Sequence, residues 1–449
     1  MSKKKQKDNG TSETKVSNPT ESVAKPIVNN GKWYIIGVLL LTTLVFSSSI
    51  QNDFVNWDDE KNIYENELIK TLSKENFWEN TAKIFTTPTI GNYNPLSILS
   101  LGIDKLIYGL DKPYGFHLTN LILHLLCTFL VYKIVIGLNL NWLVAIFTAL
   151  FFGLHPLRVE SVAWITERKD VLFGFFYLFA LLLYIRHRSR ISKKSYSILI
   201  LFLFILSLFS KIQAVILPIS MLLVDYYFTG SINWKQIFAK SHLFIFSLIF
   251  GIIGLLFLKE EGSLNSVSDL NFSWYHRPFI GMFSLVIYLI KSLIPFRMSP
   301  LYPYPAEPLW YFYISILILP VLGYTIWHFY KKDNRLVVFG LLFFLANIVM
   351  LLQILGAGQG YLADRFTYIP YIGLFVIFSN YLYNSLTSSK AKYIKIGLTL
   401  LFAAFSIISY NQNKVWKNSE TLWTHVIKYY PNTSTPFGNR ANFRRDNKD

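Results

Sequence analysis

The chain has 449 residues, 43 Lys+Arg against 26 Asp+Glu for a formal charge of +17, and is 53% hydrophobic, 17% aromatic and only 15% charged. A soluble domain carries about 25% charge, so this composition excludes a soluble enzyme, a disordered chain and, with Cys127 as its one cysteine, a disulfide scaffold. What remains is a polytopic membrane protein whose positive excess sorts to one side of the bilayer.

Residues 1–32 form a polar, basic tail (Lys3, Lys4, Lys5, Lys7, Lys15, Lys25, Lys32) and are read as cytoplasmic. No signal-peptide cleavage pattern follows the first apolar run, so 33–50 is taken as a retained span. Further apolar runs are 116–136, 141–156, 171–187, 196–210, 212–228, 242–258, 278–296, 310–330, 336–355, 366–386 and 394–410. Most approach the 18–20 residues that cross a bilayer as a helix; 141–156 and 196–210 are short. None alternates as a barrel strand does, so the spans are helices.

Loop charge sets the orientation. Arg188, Arg190, Lys193 and Lys194, then Lys331, Lys332 and Arg335, then Lys390, Lys392 and Lys395 mark cytoplasmic loops. Loop 51–115 holds ten acids against six lysines and reads as outside. If every run crossed, Lys331 and Lys332 would fall outside. The run 278–296 is the one assigned not to cross: it contains Lys291 and Pro295 and leads into the Pro-rich Ser299–Pro305. Eleven spans follow, N-terminus inside and C-terminus outside; twelve spans with both ends inside is the alternative.

The first outer loop, 51–115, opens with Trp57-Asp58-Asp59 about eight residues past the first span. Trp57 suits an interfacial anchor. A carboxylate at the membrane edge can take a proton from an acceptor hydroxyl or hold a divalent metal; the pair equally suits solvated loop charges or a helix cap. Leu96, Leu99, Ile103, Leu106 and Ile107 recur at helical spacing in 93–110, as in a helix lying in the interface.

The second outer loop, His155 to Asp170, places six charged residues in sixteen positions. Arg158 and Arg168 can fork onto a phosphate, with Glu160 and Asp170 orienting them; mutual salt bridges are the plainer account. His117, Asn120 and His124 share one helix face, as interhelical hydrogen-bonding groups also do. Lys211 sits at a run boundary, where lysines snorkel, and Asp364-Arg365 precedes the run at 366. No Walker loop, GxGxxG, HExxH or CxxC cluster occurs.

In order, Trp57-Asp58-Asp59, Asn92-Tyr93-Asn94-Pro95-Leu96, Gly115-Phe116-His117-Leu118-Thr119-Asn120, His155-Pro156…Glu160-Ser161-Val162, Arg168-Lys169-Asp170, Ser210-Lys211-Ile212-Gln213 and Ala363-Asp364-Arg365-Phe366 resemble the transmembrane and tetratricopeptide repeat-containing O-mannosyltransferase-like proteins, of glycosyltransferase superfamily C. The resemblance covers roughly 33–440 and implies a GT-C-like all-α bundle at 33–410 of about eleven transmembrane helices with a large first extracytoplasmic loop. It also implies a polyprenyl-phosphate sugar donor and a protein or glycan acceptor, with the site outside. Asp58 and Asp59 map onto the family's catalytic acidic pair, or onto the ligands of a divalent metal if one is used. Arg158, Glu160, Arg168 and Asp170 map onto the basic and acidic residues of the family's second loop; with His155, Lys211 and Arg365 they are the expected donor-binding residues, and Tyr93, Asn94, His117 and Asn120 the expected acceptor or pocket lining. Arg158 departs from the pattern, standing where a histidine is common. Residues 411–449, with Trp416, Leu422, Trp423, Ile427 and Asn439-Arg440-Ala441, resemble the start of an incomplete tetratricopeptide-like helical segment.

The expected partners are the bilayer, the lipid-linked donor and the acceptor, with no nucleic acid. Asn-, Ile- and Lys-rich usage leans towards a bacterial cytoplasmic membrane, with the endoplasmic reticulum as the eukaryotic counterpart. A transporter or flippase, and a polysaccharide polymerase or ligase, are the competing classes.

Overall fold

The computed structural model describes residues 31–188, 194–260, 274–354 and 359–447. Residues 1–30 of the basic tail lie outside them, as do Arg190 and Lys193. Each of the twelve apolar runs is helical. The helices in chain order are α1 (Gly31–Phe46), α2 (Glu67–Lys70), α3 (Phe77–Thr86), α4 (Pro95–Tyr108), α5 (Pro113–Gly137), α6 (Trp142–Leu154), α7 (Val159–Ala163), α8 (Arg168–His187), α9 (Lys194–Ser210) and α10 (Leu217–Thr229). They continue as α11 (Trp234–Phe238), α12 (Ser241–Glu260), α13 (Arg277–Lys291), α14 (Trp310–Ile314), α15 (Ile318–Lys331), α16 (Arg335–Ile348), α17 (Tyr371–Ser385), α18 (Ala391–Asn413), α19 (Ser419–Tyr429) and α20 (Ser434–Asp446). One two-stranded antiparallel pair, β1 (Tyr302–Pro303) with β2 (Gly360–Leu362), joins the loops before α14 and α17.

The all-α polytopic class is thus as expected, and length and hydropathy alone mark fewer helices than the eleven expected spans. Among the described residues six helices are long and apolar enough to cross a membrane, or seven if α6 and the bent segment after it form one span. Helices α9, α12 and α16 are apolar but shorter. The expected non-crossing run becomes α13, which is not among the helices meeting the length and hydropathy test. The expected interfacial stretch becomes α4, started by Pro95 at its first turn, where a missing N–H costs nothing.

Helices α5, α6, α8, α16 and α17 build the core, with α1 and α18 packed on α6. Small residues let backbones meet: a Cβ on Gly373 would lie 2.3 Å from the Gly340 carbonyl. By contrast α12, α15 and α18 turn broad apolar faces outward, among them Ile245, Leu248 and Ile252 of α12. Exposed aromatics sit near helix ends, with Trp33, Tyr393 and Tyr330 towards one end of the bundle and Tyr114, Trp310 and Tyr410 towards the other. That is the distribution of interfacial belts.

Candidate active site

The first outer loop is fixed by Asp59. Its Oδ2 accepts from the Val55 N–H at 3.0 Å, and its Oδ1 accepts from the N–H and the hydroxyl of Thr166 at 3.0 and 2.6 Å. The side chain is buried, and burial pushes its pKa up to about 6 against those three donors. Asp59 therefore staples the loop after α1 to the segment between α7 and α8. Three N–H and O–H donors thus occupy most of the acceptor capacity of this carboxylate. Among the described residues no group of three or more His, Cys, Asp or Glu converges as a metal site.

Asp58 has the opposite fate. Its side chain keeps 30% of its surface exposed, with Lys169 Nζ 4.0 Å away. The surrounding protein raises its pKa by desolvation, and Lys169 opposes that rise. Of the expected acidic pair, one member is structural and one faces an opening.

Behind Asp58, four segments bring charge together. Glu167 is fully buried and lies 3.2 Å from Lys169, 3.6 Å from Lys211 and 3.1 Å from Arg365 Nε. Lys211 pairs with Asp170, whose other oxygen accepts from Ser161 Oγ at 2.9 Å. Arg365 pairs with Glu160 through Nη1, and its backbone N–H donates to the same carboxylate at 2.9 Å. Glu160, Glu167 and Asp170 keep no more than 4% of their side chains exposed; Lys169, Lys211 and Arg365 keep 13, 11 and 20%. The acids form a buried backing, and the three cations paired with them keep what exposure the cluster has. Such pre-oriented cations suit an anionic leaving group, because they need not reorganise as charge develops.

Arg365 is itself held in place. Its neighbour Asp364 accepts from Lys291 Nζ at 2.8 Å and from the Tyr302 hydroxyl at 2.8–2.9 Å, all three buried. The Lys291 that argued against a crossing at 278–296 is this buried partner.

Several expected ligands turn out to be internal. Arg168 does not present a phosphate fork: its guanidinium donates to Ser100 Oγ at 2.7 Å, Asp104 Oδ2 at 2.6 Å, the Phe116 carbonyl at 2.9 Å and Asn120 Oδ1. It is fully buried and joins α4, α5 and α8. Asn120 belongs to that joint, its amide reaching the Trp164 carbonyl at 3.1 Å. Arg158 is also fully buried; Nη2 binds Thr367, and the guanidinium faces the rings of Phe152, Tyr368 and Tyr371 at 5.3–5.5 Å. His155 accepts from the Leu157 N–H at 3.3 Å and packs on Tyr371, Phe375 and Phe405. His117 is buried. Tyr93 donates to the Phe85 carbonyl and packs on Phe209 and Phe257; Asn94 is buried at the start of α4. Sequence reasoning did not single out Glu167, Lys169, Asp104 or Asp364 with Lys291 as site residues.

These features define a class: an α-helical multi-pass membrane protein with a buried acid–cation cluster at one end. Comparison then shows what the chain is similar to. The chain is 28% identical over 171 residues, 34% of its length and 23% of the relative's, to Protein O-mannosyl-transferase TMTC4 of Mus musculus. It is 35% identical over 97 residues, 22% of this chain and 10% of the relative, to Protein O-mannosyl-transferase Tmtc2 of Drosophila melanogaster. With Protein O-mannosyl-transferase TMTC3 of Homo sapiens it shares 29% over 131 residues, 29% of this chain and 14% of the relative. The chain thus spans about a tenth to a quarter of the length of these relatives. No family profile and no solved structure matches it. Over these stretches the chain is similar to the transmembrane and tetratricopeptide repeat-containing O-mannosyltransferase-like proteins, as its motifs suggest.

Proposed function

We propose that the chain is a membrane glycosyltransferase that moves a hexose from a polyprenyl-phosphate donor to a hydroxyl, on a protein acceptor, at the extracytoplasmic face. The observation that carries this reading is the contrast at the acidic pair. Asp58 is partly exposed 4.0 Å from Lys169, the nearest of three cations backed by buried acids, while Asp59 holds it there by three internal hydrogen bonds. The relatives' names supply the mannosyl transfer and the protein acceptor.

In this reading Asp58 takes the proton of the acceptor hydroxyl. The oxygen bonds to the anomeric carbon as the bond from that carbon to the phosphate oxygen breaks. The electron pair leaves on the polyprenyl phosphate, whose charge Lys169, Lys211 and Arg365 stabilise. Direct displacement inverts the anomeric centre.

Eleven crossings with the C-terminus outside also fit the contacts. The ends of α1 and α18 meet through Asn413 Nδ2 and the Val45 carbonyl at 3.0 Å, beside the Asp58 loop. At the other end Asn141 meets Tyr383 at 3.0 Å and Tyr227 meets the Leu138 carbonyl at 3.0 Å. Helices α19 and α20 are read as the repeat-like pair.

The test is to incubate purified protein with polyprenyl-phosphate mannose and acceptor peptides and to measure released polyprenyl phosphate. Release that requires both the acceptor and Asp58 supports the reading; release unaffected by Asp58→Asn overturns it.

A further inference from the structure

The loop that carries Asp58 is held from outside by the last two helices. The Asn56 N–H donates to Ser419 Oγ at 2.7 Å, its Nδ2 donates to the Asn439 carbonyl at 2.7 Å, and its Oδ1 accepts from Trp423 Nε1 at 2.8 Å. Three polar groups of one residue, two positions before Asp58, thus go to α19 and α20. Just upstream, the Asp53 N–H donates to the Lys417 carbonyl at 2.8 Å. Trp57 lies flat on Trp164 with ring centres 4.6 Å apart and touches Trp423 at 5.2 Å. Trp164 stacks in turn on Trp416 at 5.2 Å, and its ring lies under Arg365 at 5.4 Å and Lys169 at 6.0 Å. One aromatic stack therefore touches the Asp58 loop, two of the three cations and the C-terminal helices.

We propose that the α19–α20 pair is a positioning element of the site and that Asn56 is its positioning residue. The pair holds Asp58 at its separation from Lys169 without itself contributing a charge to the cluster. Loss of the joint should misplace the base and leave the cations where they are, since Glu160, Glu167 and Asp170 hold those independently. The kinetic consequence rests on the transferase reading above; the geometric one does not.

Two measurements test this. In the first, Asp58→Cys is made in a Cys127→Ser background, Cys127 being buried, and its alkylation by a charged maleimide is timed. Adding Asn56→Ala should speed labelling about tenfold, the effect of losing a net interaction of about 1.4 kcal/mol from one joint; an unchanged rate overturns the proposal. Trp423→Phe, which removes the indole N–H bonded to Asn56 Oδ1 and leaves a smaller aromatic ring in its place, should act in the same direction. In the second, Asn56→Ala should lower kcat about 10- to 100-fold with donor KM unchanged, as small misplacements of reacting groups do. It should add nothing in an Asp58→Asn background; additive losses in that cycle overturn the proposal. If wild-type protein releases no polyprenyl phosphate at all, the transferase reading falls, and the labelling rates still decide the positioning role.

Discussion

Charge is buried at both ends of this bundle, some 24 Å apart along α8 by the rise from Arg168 to Tyr184. At the far end Asp225 accepts from the Tyr184 hydroxyl at 2.6 Å and from Lys240 Nζ at 2.6 Å, and Lys240 also reaches the Gln236 carbonyl at 3.0 Å. One acid meets one base, both sealed, and every bond is local. At the near end four carboxylates meet three lysine or arginine heads, and Asp58 is left 30% exposed. A buried pair that is complete can only hold helices together. A cluster whose cations remain partly open can also address a ligand, and the price is that its geometry depends on loops as well as on helices.

The sharpest way to break that comparison is to neutralise one acid at each end. Asp58→Asn keeps shape and removes basicity, so turnover should fall about 100- to 10,000-fold with normal expression and unfolding temperature. Asp225→Ala should do the reverse. It strands Lys240 without its partner, costing about 3–5 kcal/mol of stability, while turnover per folded molecule is unchanged. Comparable rate losses at the two ends would erase the distinction drawn between them.

A smaller effect separates the members of the acidic pair. Asp59→Asn turns an amide NH2 towards the donors of Val55 and Thr166, so unfolding in detergent should show a loss of about 1–3 kcal/mol, which Asp58→Asn should not. The pH dependence has a definite sign. Asp59 in the folded protein titrates at about 6, above its ordinary value of 3.8. Between those values the folded chain binds more protons than the unfolded one, so this group's contribution to stability is greatest below pH 4 and declines as the pH rises towards 6. Asp59→Asn should abolish that slope.

The smallest expected effect concerns the acid limb of the pH–rate profile. Lys169 holds down the raised pKa of Asp58. Lys169→Met should therefore move the limb to higher pH, and Asp58→Asn should remove it. A limb that moves to lower pH in Lys169→Met would mean that another group titrates.

The helices were legible because apolar runs in a membrane protein have one way to satisfy their backbone groups. Which of them cross was less so: runs such as 336–355 become helices shorter than the run, and hydropathy alone does not see a bend like that after Leu154. At the site, the sequence located the right loops and misassigned charges within them. Arg168 and Lys169 are adjacent, yet one points into the bundle and the other out to Asp58. What decides is Asp104, 64 residues upstream, which claims Arg168. A signal for it was present: on α4, Asp104 shares the buried face with Ser97, Ile98 and Leu101. Glu167 gave no such sign, since its three partners come from separate segments. The acidic pair was read as a unit, and only the contacts of Asp59 show that its members do different work.

The joint between Asn56 and Asn439 spans 383 residues of chain. At a synthesis rate of about 5–20 residues per second the first outer loop would wait roughly 20–80 s for its partner to be made. During that time Trp57 lacks Trp423, Asn56 has nothing to bind, and the base-bearing loop is free to sample other positions. Membrane insertion of the early helices and maturation of the site are therefore separate events in time. A nascent chain arrested before Ser419 should already have its first spans in place and still be inactive.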